Sequence, residues 1–236
     1  MNRRRRNELA LHTVLFHPPP RNGWLAEARD RDLKLDLATC MADIVGLLDG
    51  AGLVAFPAGF MRAPSLDACD ALAQRLLALS RRAGLSLLFG IDVVAEDRWA
   101  PLAPPAESYA FACEAGRPVL WPAHVGRGTG RGEGPAEARC VELGGMRVGV
   151  VIASEVFNAP LRRELARGRP DLTVVLTHVG PNERWRAALE GLAAIAPTVL
   201  VGESVTGKIP LWTAAPDGWQ RTDLGGAPNV TLQRYR

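Results

Sequence analysis

Leu143-Gly144-Gly145-Met146-Arg147-Val148-Gly149-Val150-Val151-Ile152-Ala153-Ser154-Glu155-Val156-Phe157 is the stretch on which the reading of this chain turns. The Gly144-Gly145 pair marks a turn, and the β-branched run from Val148 to Ile152 has the signature of a buried strand. Small and polar residues interrupt the run, and Phe157 to Gly168 follows with helical spacing. A strand, a sharp turn and a helix make the kind of elbow that displays a nucleophile at the end of a sheet. The residue at the tip is Ala153, which carries no nucleophilic atom. The geometry of a catalytic elbow is therefore expected without its reacting group.

Outward from the elbow the chain alternates between strand and helix patterns. Short apolar strands are expected at Leu11 to Phe16, Leu53 to Phe56, Ser86 to Val94, Ser108 to Cys113, Val119 to Trp121, Leu172 to Leu176 and Thr198 to Val201. Glu27 to Asp49 places Leu33, Leu37, Met41, Ile44 and Leu48 three or four apart, the spacing of an amphipathic helix. Ser65 to Ala83 is a second helix, with Leu72, Leu76 and Leu79 on one face and Gly84 as its stop. Further helices are expected at Phe157 to Arg167 and Glu183 to Ile195. Alternation of this kind, with hairpin-like pieces in the middle, argues an α/β fold with a mixed sheet.

With 236 residues and 47% apolar content, the chain is long enough for one domain with a sizeable core. The expected division is a basic N-terminal tail over residues 1–10 and a single domain over 11–236. A formal net charge of +3 gives no general argument for nucleic acid. Arg3 to Arg6 reads as a solvated tail, and without an apolar stretch behind it the segment is not a secretory signal. No apolar run approaches the roughly 18 residues of a membrane span. The four cysteines (Cys40, Cys69, Cys113, Cys140) lack CxxC spacing, so a cytoplasmic protein with reduced thiols is expected rather than a disulfide framework or metal site.

Three segments resemble the nitrilase (carbon–nitrogen hydrolase) superfamily, in that family's order and over roughly residues 10–225. Ala153-Ser154-Glu155 is similar to the family's Cys-Tyr-Glu at the end of the elbow strand. Leu53-Val54-Ala55-Phe56-Pro57-Ala58 is similar to the strand ending in Phe-Pro-Glu, with Ala58 at the position of the general base. Val119-Leu120-Trp121-Pro122-Ala123-His124-Val125 resembles the Tyr-x-Lys-x-His-Leu segment that supplies the catalytic lysine. Aligning His124 puts Pro122 at the Lys position, and a shift of one puts Ala123 there; the chain's only lysines are Lys34 and Lys208. The resemblance implies a four-layer αββα sandwich with mixed sheets, often paired into dimers through a helix layer. It also implies a Glu-Lys-Cys triad, of which every member is substituted here.

The remaining signals carry bland readings beside sharp ones. Gly126 to Gly134 is a flexible basic loop that opens no helix, so phosphate binding is not expected of it; by resemblance, Glu133 stands in for a second glutamate near the pocket mouth. Gly202-Glu203-Ser204-Val205-Thr206-Gly207-Lys208 has the letters of a P-loop, but Ile209 replaces the Mg²⁺-binding hydroxyl and Pro210 opposes the required helix. Ile209 to Thr213, followed by Pro216-Asp217-Gly218-Trp219, reads instead as a hairpin. Ser154 is a substitute nucleophile one position along, with His124, His178 and Glu155 as candidate bases. Adjacent residues leaving a strand point apart, however, so Ser154 does not inherit the place of Ala153. Glu155 has a structural reading too, at the positive end of the following helix.

The expected function is that of a pseudoenzyme, which keeps the sandwich and acts by ligand or partner binding. Its pocket residues are His124, Glu133, Ser154, Glu155 and His178, and the pocket is expected to be roomier for the alanines at 58 and 153. The alternative is a divergent hydrolase of amide or nitrile bonds with a site rearranged around Ser154 or His178. No cofactor and no metal are expected. Expected partners are a small-molecule ligand and either a homodimer or a mixed assembly with an active relative, with no membrane.

Overall fold

The computed structural model describes residues 11–16, 48, 52–58, 61–93, 107–126, 139–177, 183–202, 213–214, 221–227 and 230–235. Strands β1 (Leu11–Phe16), β2 (Leu53–Ala55), β3 (Met61–Ala63), β4 (Ser86–Val93), β5 (Glu107–Glu114), β6 (Arg117–Gly126), β12 (Arg221–Ala227) and β13 (Val230–Tyr235) form one sheet. Its order is β12-β13-β1-β2-β4-β5-β6, with β3 pairing to β4 off this path. A second sheet runs β11-β10-β9-β8-β7 and comprises β7 (Cys140–Leu143), β8 (Met146–Ile152), β9 (Leu172–Thr177), β10 (Thr198–Gly202) and β11 (Thr213–Ala214). Both sheets are mixed: β1, β2 and β4 are parallel, as are β8, β9 and β10, while the hairpin partners run antiparallel.

Alternation along the strands explains the layering. Leu53, Ala55 and Leu88 of the first sheet face Val148, Val150, Ile152, Leu172 and Val174 of the second, in one shared apolar layer. The opposite face of the first sheet (Val54, Phe56, Leu87, Phe89, Ile91) packs on Cys69, Ala73 and Leu76 of helix α1 (Leu66–Ala83). The outer face of the second (Val151, Val175, Leu200) meets Leu161 and Leu165 of α2 (Ala159–Gly168) and Leu189 and Leu192 of α3 (Glu183–Ala193). Helix, sheet, sheet, helix is the αββα sandwich expected. Phe56 and Phe89 stack with ring centroids 4.0 Å apart, adding about 1 kcal/mol beyond the area they bury.

The local signals act as read. Ser65 caps α1 by accepting the Ala68 N–H, and Gly84 ends it at φ 65°, a left-handed conformation that glycine adopts without a Cβ penalty. Gly144 and Gly145 both take positive φ (61° and 78°), as a two-residue hairpin between β7 and β8 requires. The expected helix Glu27 to Asp49 lies outside the described residues except Leu48, which packs against the α1 side of the core. Residues 127–134 of the basic loop, Glu203 to Lys208 of the P-loop-like stretch, and all of the expected hairpin except Thr213 lie outside them as well. No helix among the described residues is long and apolar enough to cross a membrane.

Candidate functional site

The two sheets share a direction. Glu114, at the end of β5, accepts the Gly144 N–H at 3.0 Å and the Ser86 hydroxyl at 3.4 Å. A Cβ on Gly144 would lie 3.5 Å from that of Leu53. The starts of β2, β4 and β8 thus come together, and their carboxyl ends emerge at the opposite side of the sandwich. Strand β6 is antiparallel to β5, so it runs with β4 and ends at that side too. In α/β sheets the carboxyl ends of parallel strands are where ligands bind. Ala58, the His124 segment and Ala153 are far apart in sequence, and the topology delivers them all to this end.

At that end each expected residue has a definite place. Ala58 has no exposed surface and belongs to the layer between the sheets. A Cβ on neighbouring Gly90 would come within 2.6 Å of its Cα. Ala58 and Gly90 thus pack with their main chains in close approach. In β6 the register puts Ala123 opposite Ala110, a member of the inter-sheet layer, and His124 opposite Tyr109, which belongs to the outer layer. Irregular pairing between Ala110 and Ala112 produces this offset. His178 follows the last residue of β9, and both it and Glu133 lie outside the described residues.

The elbow differs in one respect from expectation. Beyond β8 the chain makes a 3₁₀ segment, Ala153–Phe157, before α2 begins. Asn158 separates the two: its side chain accepts the Leu161 N–H, and Pro160 fits the first turn of the helix it starts. Ala153 and Ser154 open the 3₁₀ segment directly after Ile152. Glu155 reaches back to accept the Ile152 N–H through Oε2 at 3.1 Å, while Oε1 accepts from Arg139 Nη2 at 2.7 Å. Both side chains are almost fully buried, with 4% and 7% of their surfaces exposed. Burial pushes the Glu155 carboxyl up, against the opposing pull of Arg139 and of the Ile152 N–H. Glu155 therefore holds the elbow through these two bonds, ahead of the helix that Asn158 caps.

Two polar residues at this end, Asp92 and Arg139, carry little signal in the sequence. Asp92, fully buried at the end of β4, accepts the Ser108 hydroxyl from β5 at 2.8 Å. It lies two residues beyond Gly90, so strand alternation gives both the same face. Its one signal is a charge inside the otherwise apolar run Leu87 to Val94. Arg139, leading into β7, had no signal in a chain rich in arginine. The described thiols lie elsewhere: Cys69 and Cys113 pack in the α1 layer and Cys140 in the α2–α3 layer, while Cys40 lies outside the described residues. Burial pushes Cys69 up to about 12 and Cys113 up to about 11, and raises Cys140 as well. None has the lowered pKa that a reactive thiolate needs. Among the described residues, no group of three His, Cys, Asp or Glu is placed to hold a metal ion.

No family model and no curated protein matches the chain. Solved structures do. A Cys-to-Ala mutant of the Nesterenkonia AN1 amidase from the nitrilase superfamily is 20% identical, covering 96% of this chain and 90% of its own, with a TM-score of 0.57. The NitN amidase from the same source is 17% identical over 95% of this chain and 91% of its own, at a TM-score of 0.60. A Glu-to-Leu mutant of the Nesterenkonia sp. AN1 amidase carries the acetamide moiety of fluoroacetamide, added covalently at its active-site cysteine. It is 17% identical over 96% of this chain and 90% of its own, with a TM-score of 0.60. Four layers, shared sheet direction and this likeness over nearly the whole chain assign it the nitrilase-superfamily fold.

Proposed function

We propose that this protein uses the nitrilase fold to bind a small molecule rather than to hydrolyse one. The observation that carries the reading is Ala153, which follows Ile152 at the end of β8 where an elbow would present its nucleophile. A methyl group cannot attack a carbonyl, and removing the nucleophile of a covalent mechanism lowers the rate by several orders of magnitude. The supporting positions agree: Ala58 offers no base, and neither Pro122 nor Ala123 offers a cation to stabilise an oxyanion. Glu155 is no substitute base for Ser154, because both its oxygens are engaged by Arg139 and the Ile152 N–H. Mixed assembly with an active relative fits the same reading, with this chain as a binding subunit.

The test is ammonia release by purified, folded protein across amides, nitriles and N-carbamoyl compounds, with Ser154→Ala in parallel. No release above background is expected from either. Release by the native chain that Ser154→Ala abolishes would establish a rearranged hydrolase instead; release by both would move the search to His178.

A further inference from the structure

We propose that Arg139 anchors the ligand at this end of the sandwich and that the ligand carries a carboxylate. This rests on the binding reading above and names the chemistry that is bound. Arg139 is 3% exposed, and Glu155 engages only one of its two terminal nitrogens. Its Nη1 is buried with no hydrogen-bond partner among the described residues. A buried guanidinium nitrogen without an acceptor is costly, and the structure keeps one next to the elbow. The ion pair with Glu155 is end-on: Oε1 meets Nη2 and Oε2 turns away to the Ile152 N–H, so Glu155 leaves Nη1 without an acceptor.

Position and charge narrow the partner. Arg139 immediately precedes β7, and its bond to Glu155, which also accepts the Ile152 N–H, puts it beside the elbow at the carboxyl end of β8. Glu155 and Asp92, two of the described carboxylates at this end, already hold donors, so neither competes for Nη1. Positions 58 and 153 are alanines and present no negative charge to oppose an anion. A carboxylate gives Nη1 a charge-assisted hydrogen bond, roughly twice as strong as the bond from a neutral amide oxygen. A dianionic phosphate would bring more charge than one guanidinium, already shared with Glu155, can balance.

Isothermal titration with butyrate, its neutral isostere butyramide, and inorganic phosphate tests this on the intact chain. Butyrate is expected to bind at least tenfold more tightly than either comparator. Arg139→Lys, which keeps the charge but loses the planar fork, should weaken butyrate by tenfold or more. Arg139→Met combined with Glu155→Leu removes the pair without stranding a charge and should abolish binding while circular dichroism reports a native fold. No butyrate binding by the native chain, butyramide or phosphate binding as tightly as butyrate, or undiminished butyrate binding in the double variant would each overturn the proposal. Ammonia release would overturn the non-catalytic reading alone, because Arg139-dependent carboxylate binding is measured independently of turnover.

Discussion

Replacing Gly90 with alanine tests how tightly the site end of the sandwich is packed. On general grounds the change should help, since alanine is favoured over glycine inside a strand by about 0.5–1 kcal/mol. Here the new Cβ would sit 2.6 Å from Ala58 Cα and 3.0 Å from its N and Cβ. Comfortable carbon contacts lie at about 3.5–4.0 Å. The closest atom belongs to the main chain, which has no rotamer through which to escape. Overpacking costs about 1–3 kcal/mol, and a backbone clash belongs at the upper end. Against the propensity gain, a net destabilisation of about 2 kcal/mol is expected, or about 4–8 °C in Tm for a chain of this size. Urea unfolding followed by circular dichroism reads it. Adding Ala58→Gly removes only the Cβ contact and should restore little, because the Cα remains. A Gly90→Ala protein within about 0.5 kcal/mol of the parent, or full rescue by Ala58→Gly, would refute the argument.

Glu155→Ala strips the elbow of its cap and leaves the Arg139 charge buried alone. A charge-assisted bond and a cap together amount to about 3–4 kcal/mol in urea unfolding, and replacing Arg139 with Met in the same chain should recover most of it. A single variant costing under about 1 kcal/mol would contradict the buried-pair description. Glu114→Ala removes the acceptor joining the starts of the two sheets and should cost about 1–2 kcal/mol and speed Gly144 amide exchange, whereas Glu114→Gln, which keeps an oxygen, should do neither. The thiols predict an alkaline limit. Cys69 and Cys113 are held protonated, up to about 12 and about 11, against 9.0 when unfolded. Above pH 9 the unfolded chain therefore loses protons that the folded chain keeps. Stability is full below that pH and falls as pH rises towards 11, by up to about 1.4 kcal/mol per unit for each thiol. A Cys69→Ala/Cys113→Ala variant with the same alkaline slope would sink this account.

Elements with both ends marked were legible from the sequence. Helix α1 is bounded by Ser65 and Gly84, and β8 by the Gly144-Gly145 turn, so local chemistry sufficed. Strands that depend on distant partners were not. Strand β7 has four residues and no pattern of its own beyond its hairpin, and β12 runs through Gly225-Gly226, which have low strand preference yet pair with β13. At the site, the absence of reacting groups at positions 58 and 153 was visible at once, because a motif defines where to look. Arg139 and Asp92 were invisible for the converse reason. Their roles arise from burial and from partners sixteen residues away, Glu155 for one and Ser108 for the other.

The sheet order also bears on how the chain reaches this structure. All five strands of the second sheet lie between Cys140 and Ala214, a contiguous stretch that pairs internally. The first sheet is split: β1, at Leu11–Phe16, is flanked by β2 and by β13, at Val230–Tyr235. Closing that sheet joins segments more than 200 positions apart, a slow step in any search for the native state. During synthesis β1 emerges long before β13, so one edge of β1 stays open until more than 200 further residues are made. An open edge is a template for wrong pairing. Strand β1 must therefore wait, with that edge exposed, for β13, and the yield of folded chain will depend on what shields it in the interval.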